Sequence, residues 1–127
     1  MKLRRNIVVG ALVVLSVFAM SASADASNNK TVTVNGCRAD LYSATSVGAT
    51  DDVKRSYSET YRTNSASCSL ATYNKYRYSG STVVYTTSTD WDGSWATKDG
   101  PKNTYLTRSY HFVNLNGPFT GTWYNLP

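Results

Sequence analysis

Few residues in this chain could do acid–base or nucleophilic chemistry, and none stands in a familiar arrangement. It has one histidine, His111, inside the apolar run Tyr110-His111-Phe112-Val113, and one glutamate, Glu59. A Ser/His/Asp triad needs only one imidazole, but no Gly-x-Ser-x-Gly elbow precedes His111. Its place in a strand-like run predicts a packed or edge-facing ring. A glycosidase would need two facing carboxylates, one with a raised pKa, and only Glu59 with an aspartate across strands could supply them. No phosphate-binding glycine loop or dinucleotide fingerprint is present. The residues thus predict a non-enzyme, with no catalytic residue and no cofactor.

Metal chemistry is equally thin. Asp90-Trp91-Asp92-Gly93-Ser94 clusters oxygen ligands as a calcium loop does, but an EF-hand starting at Asp90 would put Trp95 where the turn demands glycine and Pro101 where a bidentate glutamate belongs. Polar turn chemistry accounts better for this stretch, and no metal site is assigned. The two cysteines, Cys37 and Cys68, are too few to make a tetrahedral site with His111. An even count in an exported chain reads as one disulfide. Closing a ring of 31 positions should stabilise the fold by about 3–4 kcal/mol.

Aromatic residues are the strongest binding signal: ten tyrosines, three tryptophans and three phenylalanines, all but one phenylalanine beyond residue 24. Tyr57 and Tyr61 fall on one face of a strand, and Trp91 and Trp95 flank the turn residues Asp92-Gly93-Ser94. Ring faces beside hydroxyls and amides can stack on sugar rings or peptide planes while polar neighbours fix orientation. Tyr57, Tyr61, Trp91 and Trp95 are therefore the candidate ligand-binding residues. Trp123 is expected in the core. A contiguous set of exposed rings would favour binding, and burial of the rings would remove it.

The elements that must position these residues begin after a leader. Lys2, Arg4 and Arg5 precede the apolar run Ile7–Met20, and Ala22-Ser23-Ala24 is a small-x-small cleavage site, so residues 1–24 read as a signal peptide. The apolar run is shorter than the ~20 residues of a membrane-crossing helix, which argues against stable membrane insertion. The leader has a bacterial look, which would leave the glycosylation triplet Asn29-Lys30-Thr31 idle. Residues 25–30 are expected to be a flexible polar tail, and residues 31–127 one secreted β-domain. The leader carries three of the five excess positive charges. Beyond it Lys54-Arg55 is the only adjacent basic pair, too sparse a pattern for nucleic acid.

From Thr31 onward Thr, Ser, Tyr and Val dominate, a composition that suits pleated strands. Thr31–Val34 alternates and meets Asn35-Gly36, a hairpin dipeptide, before Cys37–Tyr42 resumes with Cys37, Ala39 and Leu41 on one side. Val53–Thr63 puts Arg55, Tyr57, Glu59 and Tyr61 on one face and Ser56, Ser58, Thr60 and Arg62 on the other. Further strands are expected at Cys68–Tyr78, Thr82–Thr87, Tyr105–Leu115 and Phe119–Leu126, the last pair separated by Asn116-Gly117-Pro118. About seven strands at near-regular spacing predict an all-β, antiparallel β-sandwich or small barrel. Aliphatic residues are scarce, so its core should consist mainly of tyrosines, helped by Val32, Val34, Leu41, Val53, Leu70, Val84, Leu106 and Phe112.

These observations predict a secreted, non-enzymatic domain that contacts a cell-surface glycan or an extracellular protein, with association to the cell envelope as a further option. Two other readings fit the size and export signal: a bacteriocin-like toxin, and a hydrolase inhibitor presenting residues 91–101 as a rigid loop. Oligomeric state is not legible from the sequence.

Overall fold

The computed structural model describes residues 27–48, 51–115 and 121–127. The leader, Asn116-Gly117-Pro118 and Phe119 lie outside the described residues. The described chain is all-β, in chain order β1 Asn28–Val34, β2 Cys37–Val47, β3 Lys54–Arg62, β4 Cys68–Tyr78, β5 Tyr85–Thr86, β6 Asp90–Asp92, β7 Trp95–Asp99, β8 Thr104–Leu115 and β9 Thr122–Leu126. They form two antiparallel sheets. The first has the order β1-β2-β3-β7; the second has the order β5-β4-β8-β9, with β6 also paired to β4. Asn35 and Gly36 both adopt positive φ, 51° and 90°, as a two-residue hairpin turn between right-twisted strands requires.

The sheets stack so that Cys37 of the first bonds to Cys68 of the second, with Cα atoms 5.8 Å apart. Around this bond Val32, Val34, Ala39, Leu41, Leu70, Ala96, Val113 and Leu126 make an apolar zone. The rest of the interior is polar. Ser43, Thr45, Ser56, Ser58, Thr60, Thr72, Asn74, Thr104, Ser109 and His111 are all buried. Apart from the Ser43 hydroxyl, which is buried without a hydrogen-bond partner among the described residues, these side chains are hydrogen-bonded, several of them across the two sheets: Ser56 Oγ donates to Asn74 Oδ1 at 2.7 Å, and Asn74 Nδ2 donates to Ser58 Oγ and to the Lys98 carbonyl, each at 3.1 Å. Buried polar groups are costly unless bonded in this way.

This interior corrects the expectation of a tyrosine core, since no tyrosine is among the buried hydrophobic side chains. Small hydroxyl residues face inward and the rings face out. Val84 is 51% exposed and Trp123 45%, so neither is core; Val53, Leu106 and Phe112 are only partly buried. The register explains the inversion. A strand alternates faces strictly, so Cys37, Ala39 and Leu41 carry Ser43 and Thr45 inward with them, and Cys68 and Leu70 carry Thr72 and Asn74.

Three other boundaries differ from expectation. β1 takes in Asn28, Asn29 and Lys30, whose backbones pair with Ser43, Tyr42 and Leu41. The Thr82–Thr87 strand shrinks to Tyr85–Thr86. Residues 91–101, expected as a presented loop, are mostly strand, because Trp95, Thr97 and Asp99 alternate with Ala96, which is fully buried.

Candidate functional site

The outer face of the second sheet carries a contiguous group of aromatic rings. Trp91 of β6 and Phe112 of β8 lie on either side of Ala71 of β4, and Trp123 of β9 lies opposite Phe112. One repeat along, Tyr73 lies opposite Tyr110. The rings touch in sequence: Trp91 to Phe112 at 5.3 Å between centroids, Phe112 to Trp123 at 5.3 Å, Trp123 to Tyr73 at 5.4 Å and Tyr73 to Tyr110 at 4.6 Å. Trp91 and Trp123 also meet directly, at 6.2 Å and 80°. Ala71 is fully buried beneath this group, and its small side chain leaves room for the rings on both sides.

Ring orientation divides the labour. Tyr73 and Tyr110 stack nearly parallel, at 8°, so each spends a face on the other. Lys75 Nζ lies 5.5 Å from the Tyr110 centroid. The accessible ring surface therefore belongs mainly to the indoles, Trp91 at 57% exposure and Trp123 at 45%. Gly121 packs under Phe112, and a Cβ there would meet the ring at 2.4 Å, so only glycine lets the chain enter β9 this close to the aromatic group.

The four candidate ligand-binding residues are split between two faces. Trp91 belongs to the group above, but Tyr57, Tyr61 and Trp95 lie on the outer face of the first sheet. The cause is local. Asp92 Oδ2 accepts from the backbone N–H groups of Ser94 and Trp95 at 2.9 and 2.8 Å, forming a tight turn. The chain crosses there from β6 in one sheet to β7 in the other, and the outer faces of two stacked sheets point in opposite directions. The same carboxylate bonds show Asp92 acting as a turn residue, and Asp90 Oδ2 accepts from the Thr97 N–H at 3.0 Å.

On the first sheet, Glu59 stands among four rings. Tyr57 and Tyr61 flank it along β3, Tyr42 faces it from β2, and Trp95 reaches it from β7. Its Oε1 accepts hydrogen bonds from the Tyr57 hydroxyl and, at 3.2 Å, from Trp95 Nε1. Burial raises the pKa of Tyr57 well above the ordinary phenol value, and the Glu59 charge and hydrogen bond add to it, so this hydroxyl keeps its proton. Burial and the same charge raise Tyr42. All four rings here are half-buried, and this cluster offers less free ring surface than the second sheet.

His111 lies inside the sandwich with no exposed surface. Thr60 Oγ1 donates to the Ala71 carbonyl at 2.9 Å, so it accepts from His111 Nδ1 at 3.0 Å, and the bare Nε2 then accepts from Ser109 Oγ at 2.7 Å. The Ser109–His111 pair has the separation of a nucleophile and its base, but Ser109, His111 and Thr60 are all sealed from solvent. Among the described residues no three His, Cys, Asp or Glu side chains come together, and no helix is long and apolar enough to cross a membrane.

Sequence reasoning missed Tyr73, Tyr110, Phe112 and Trp123. The signal was alternation: Phe112 has the opposite parity to His111 and Val113, so once those two point inward it must point out. No family model, curated protein or solved structure matches this chain.

Proposed function

We propose that the chain is an exported, contact-making β-domain that binds a cell-surface glycan through the aromatic face of its second sheet. The observation that carries this reading is the run of five touching rings on a solvent-facing sheet, with two tryptophans about half exposed. Soluble domains rarely leave such a group uncovered unless it meets a partner. Sugar rings present flat C–H faces that pack on indoles, while the hydroxyls of Tyr73 and Tyr110 and the Asn125 amide can bond to sugar hydroxyls. The Cys37–Cys68 bond accords with export to an oxidising compartment, as does the leader.

Replacing Trp91 and Trp123 together with alanine should weaken retention on isolated cell-wall polysaccharide by at least ~tenfold, since buried indoles are frequent anchors of binding energy. The thermal midpoint should fall only modestly, because each indole is already about half exposed and what is lost is its ring contacts with Phe112, Tyr73 and the other indole. Titrating the wild type with the polysaccharide should also shift its tryptophan emission. Equal retention of the double variant, or no retention of the wild type, would sink the proposal. Finding a mature N-terminus just after Ala24 on protein recovered from culture medium would establish the export half.

A further inference from the structure

The aromatic face ends in a row of cations that make no ion pair among the described residues. Lys75 of β4 lies directly opposite Arg108 of β8. Arg77 follows one repeat along, opposite Tyr105. A bulge at this point leaves Thr107 as an extra residue in β8, held by its Oγ1 donating to the Lys75 carbonyl at 3.0 Å. Bulges of this kind re-aim side chains and are common beside functional sites. The partners of the three cations are all neutral. Lys75 lies over Tyr110, Arg108 Nη1 donates to Asn125 Oδ1 at 2.7 Å, and the Arg77 guanidinium lies 5.2 Å from the Tyr105 centroid. Among the described residues none of the three makes an ion pair. The acids nearest in this sheet, Asp90 and Asp92, are occupied by the backbone N–H groups of Thr97, Ser94 and Trp95.

Like charges placed directly opposite on a sheet destabilise it. Here the repulsion stands at the border of the exposed rings, with no ion pair among the described residues to offset it. We infer that the ligand of this face is an anionic polysaccharide, whose sugar rings pack on Trp91 and Trp123 while its phosphate or carboxylate groups sit between Lys75, Arg108 and Arg77. This rests on the glycan reading above and adds the charge class. A neutral glycan would need no such row. Single-stranded nucleic acid would use rings and cations too, but it needs successive free ring faces and a denser positive groove, whereas Tyr73 and Tyr110 are stacked on each other.

The test compares wild type, Lys75→Gln/Arg108→Gln and Trp91→Ala/Trp123→Ala on four probes: polygalacturonate, a phosphomannan, a neutral mannan and a single-stranded oligonucleotide. The wild type should prefer one or both polyanionic glycans over neutral mannan by at least ~tenfold, because hydrogen bonds to charged groups are about twice as strong as neutral ones and two are lost in the Gln variant. The tighter of the two polyanions identifies carboxylate or phosphate. Raised salt should erase the preference. The Gln variant should bind all glycans alike, with a thermal midpoint unchanged or higher as the repulsion is relieved. A preference that survives in the Gln variant, or oligonucleotide binding as tight as any glycan, would overturn this inference. Binding to neutral mannan that needs Trp91 and Trp123 without any polyanion preference would overturn it alone and leave the ring-face reading standing. Failure of every glycan would overturn both.

Discussion

A Cys37→Ala/Cys68→Ala variant should lose about 3–4 kcal/mol of stability, the loop-closure entropy for a ring of this length. The bond joins the first residue of β2 to the first residue of β4, so it ties the two sheets at the apolar end of the interior. Few large side chains share that load. Among the described residues Leu41, Leu70 and Val113 are the only fully buried aliphatic side chains larger than alanine. Alanine is the right replacement, because a serine hydroxyl at these buried positions would add an unbonded polar group. Small domains are typically stable by only ~5–15 kcal/mol, so the loss should be plain in urea unfolding as a lower midpoint. Equal midpoints for the variant and the wild type would mean that burial alone holds the sheets together.

Acid should destabilise the domain through His111. Burial lowers this imidazole from its ordinary 6.5 to about 4, so between those values the unfolded chain takes up a proton that the native fold refuses. Stability is therefore fully present above pH 6.5 and falls as the pH drops towards about 4, by up to about 3 kcal/mol. Two carboxylates qualify the low end. Asp99 is raised by burial, so its protonation favours the folded state as the pH falls towards its unfolded value, opposing His111. Asp51, held at about 2 by its hydrogen bond from Arg55, loses that advantage only below the ordinary aspartate range, and the pair lies at the surface, where solvent weakens it. The chain has a single histidine, so its ring nitrogens can be followed without assignment by nitrogen-detected NMR. The neutral Nδ1–H tautomer should persist at pH 5, with denaturant midpoints falling over the same interval. An imidazolium signal at pH 5.5 would contradict both the tautomer and the pH dependence.

The interior shows where sequence reading succeeds and where it stops. Strand periodicity was legible in β2, β3, β4 and β8, because alternation is a property of the backbone and needs no neighbour. The Asn35-Gly36 turn and the cysteine pairing were legible too, since both follow from local conformational preference and from count. Which face of β3 points inward was not legible. Alternation set Tyr57 and Tyr61 apart from Ser56, Ser58 and Thr60 but gave neither side a direction, and the scarcity of aliphatic residues argued for a tyrosine core while Tyr57 and Tyr61 were themselves candidates for binding. The direction follows from Cys68 and Leu70, which share a face with Thr72 and Asn74, since the side chains of those two bond to Ser56 and Ser58 on the serine side of β3.

Composition and alternation were enough to establish an all-β chain with one bridge and an excess of rings over aliphatic side chains. They could not establish which rings meet. Trp91 and Trp95 are close in sequence yet lie on opposite faces, because the turn at Asp92 moves the chain from one sheet to the other. Trp91 and Trp123 are far apart in sequence yet in contact, because β6 and β9 flank the same two strands, β4 and β8. Alternation along a strand is set by bonds between neighbouring residues. Adjacency across a sheet is set by strand order, which depends on how the whole chain buries its hydroxyl and aliphatic faces together, and no short segment carries that information.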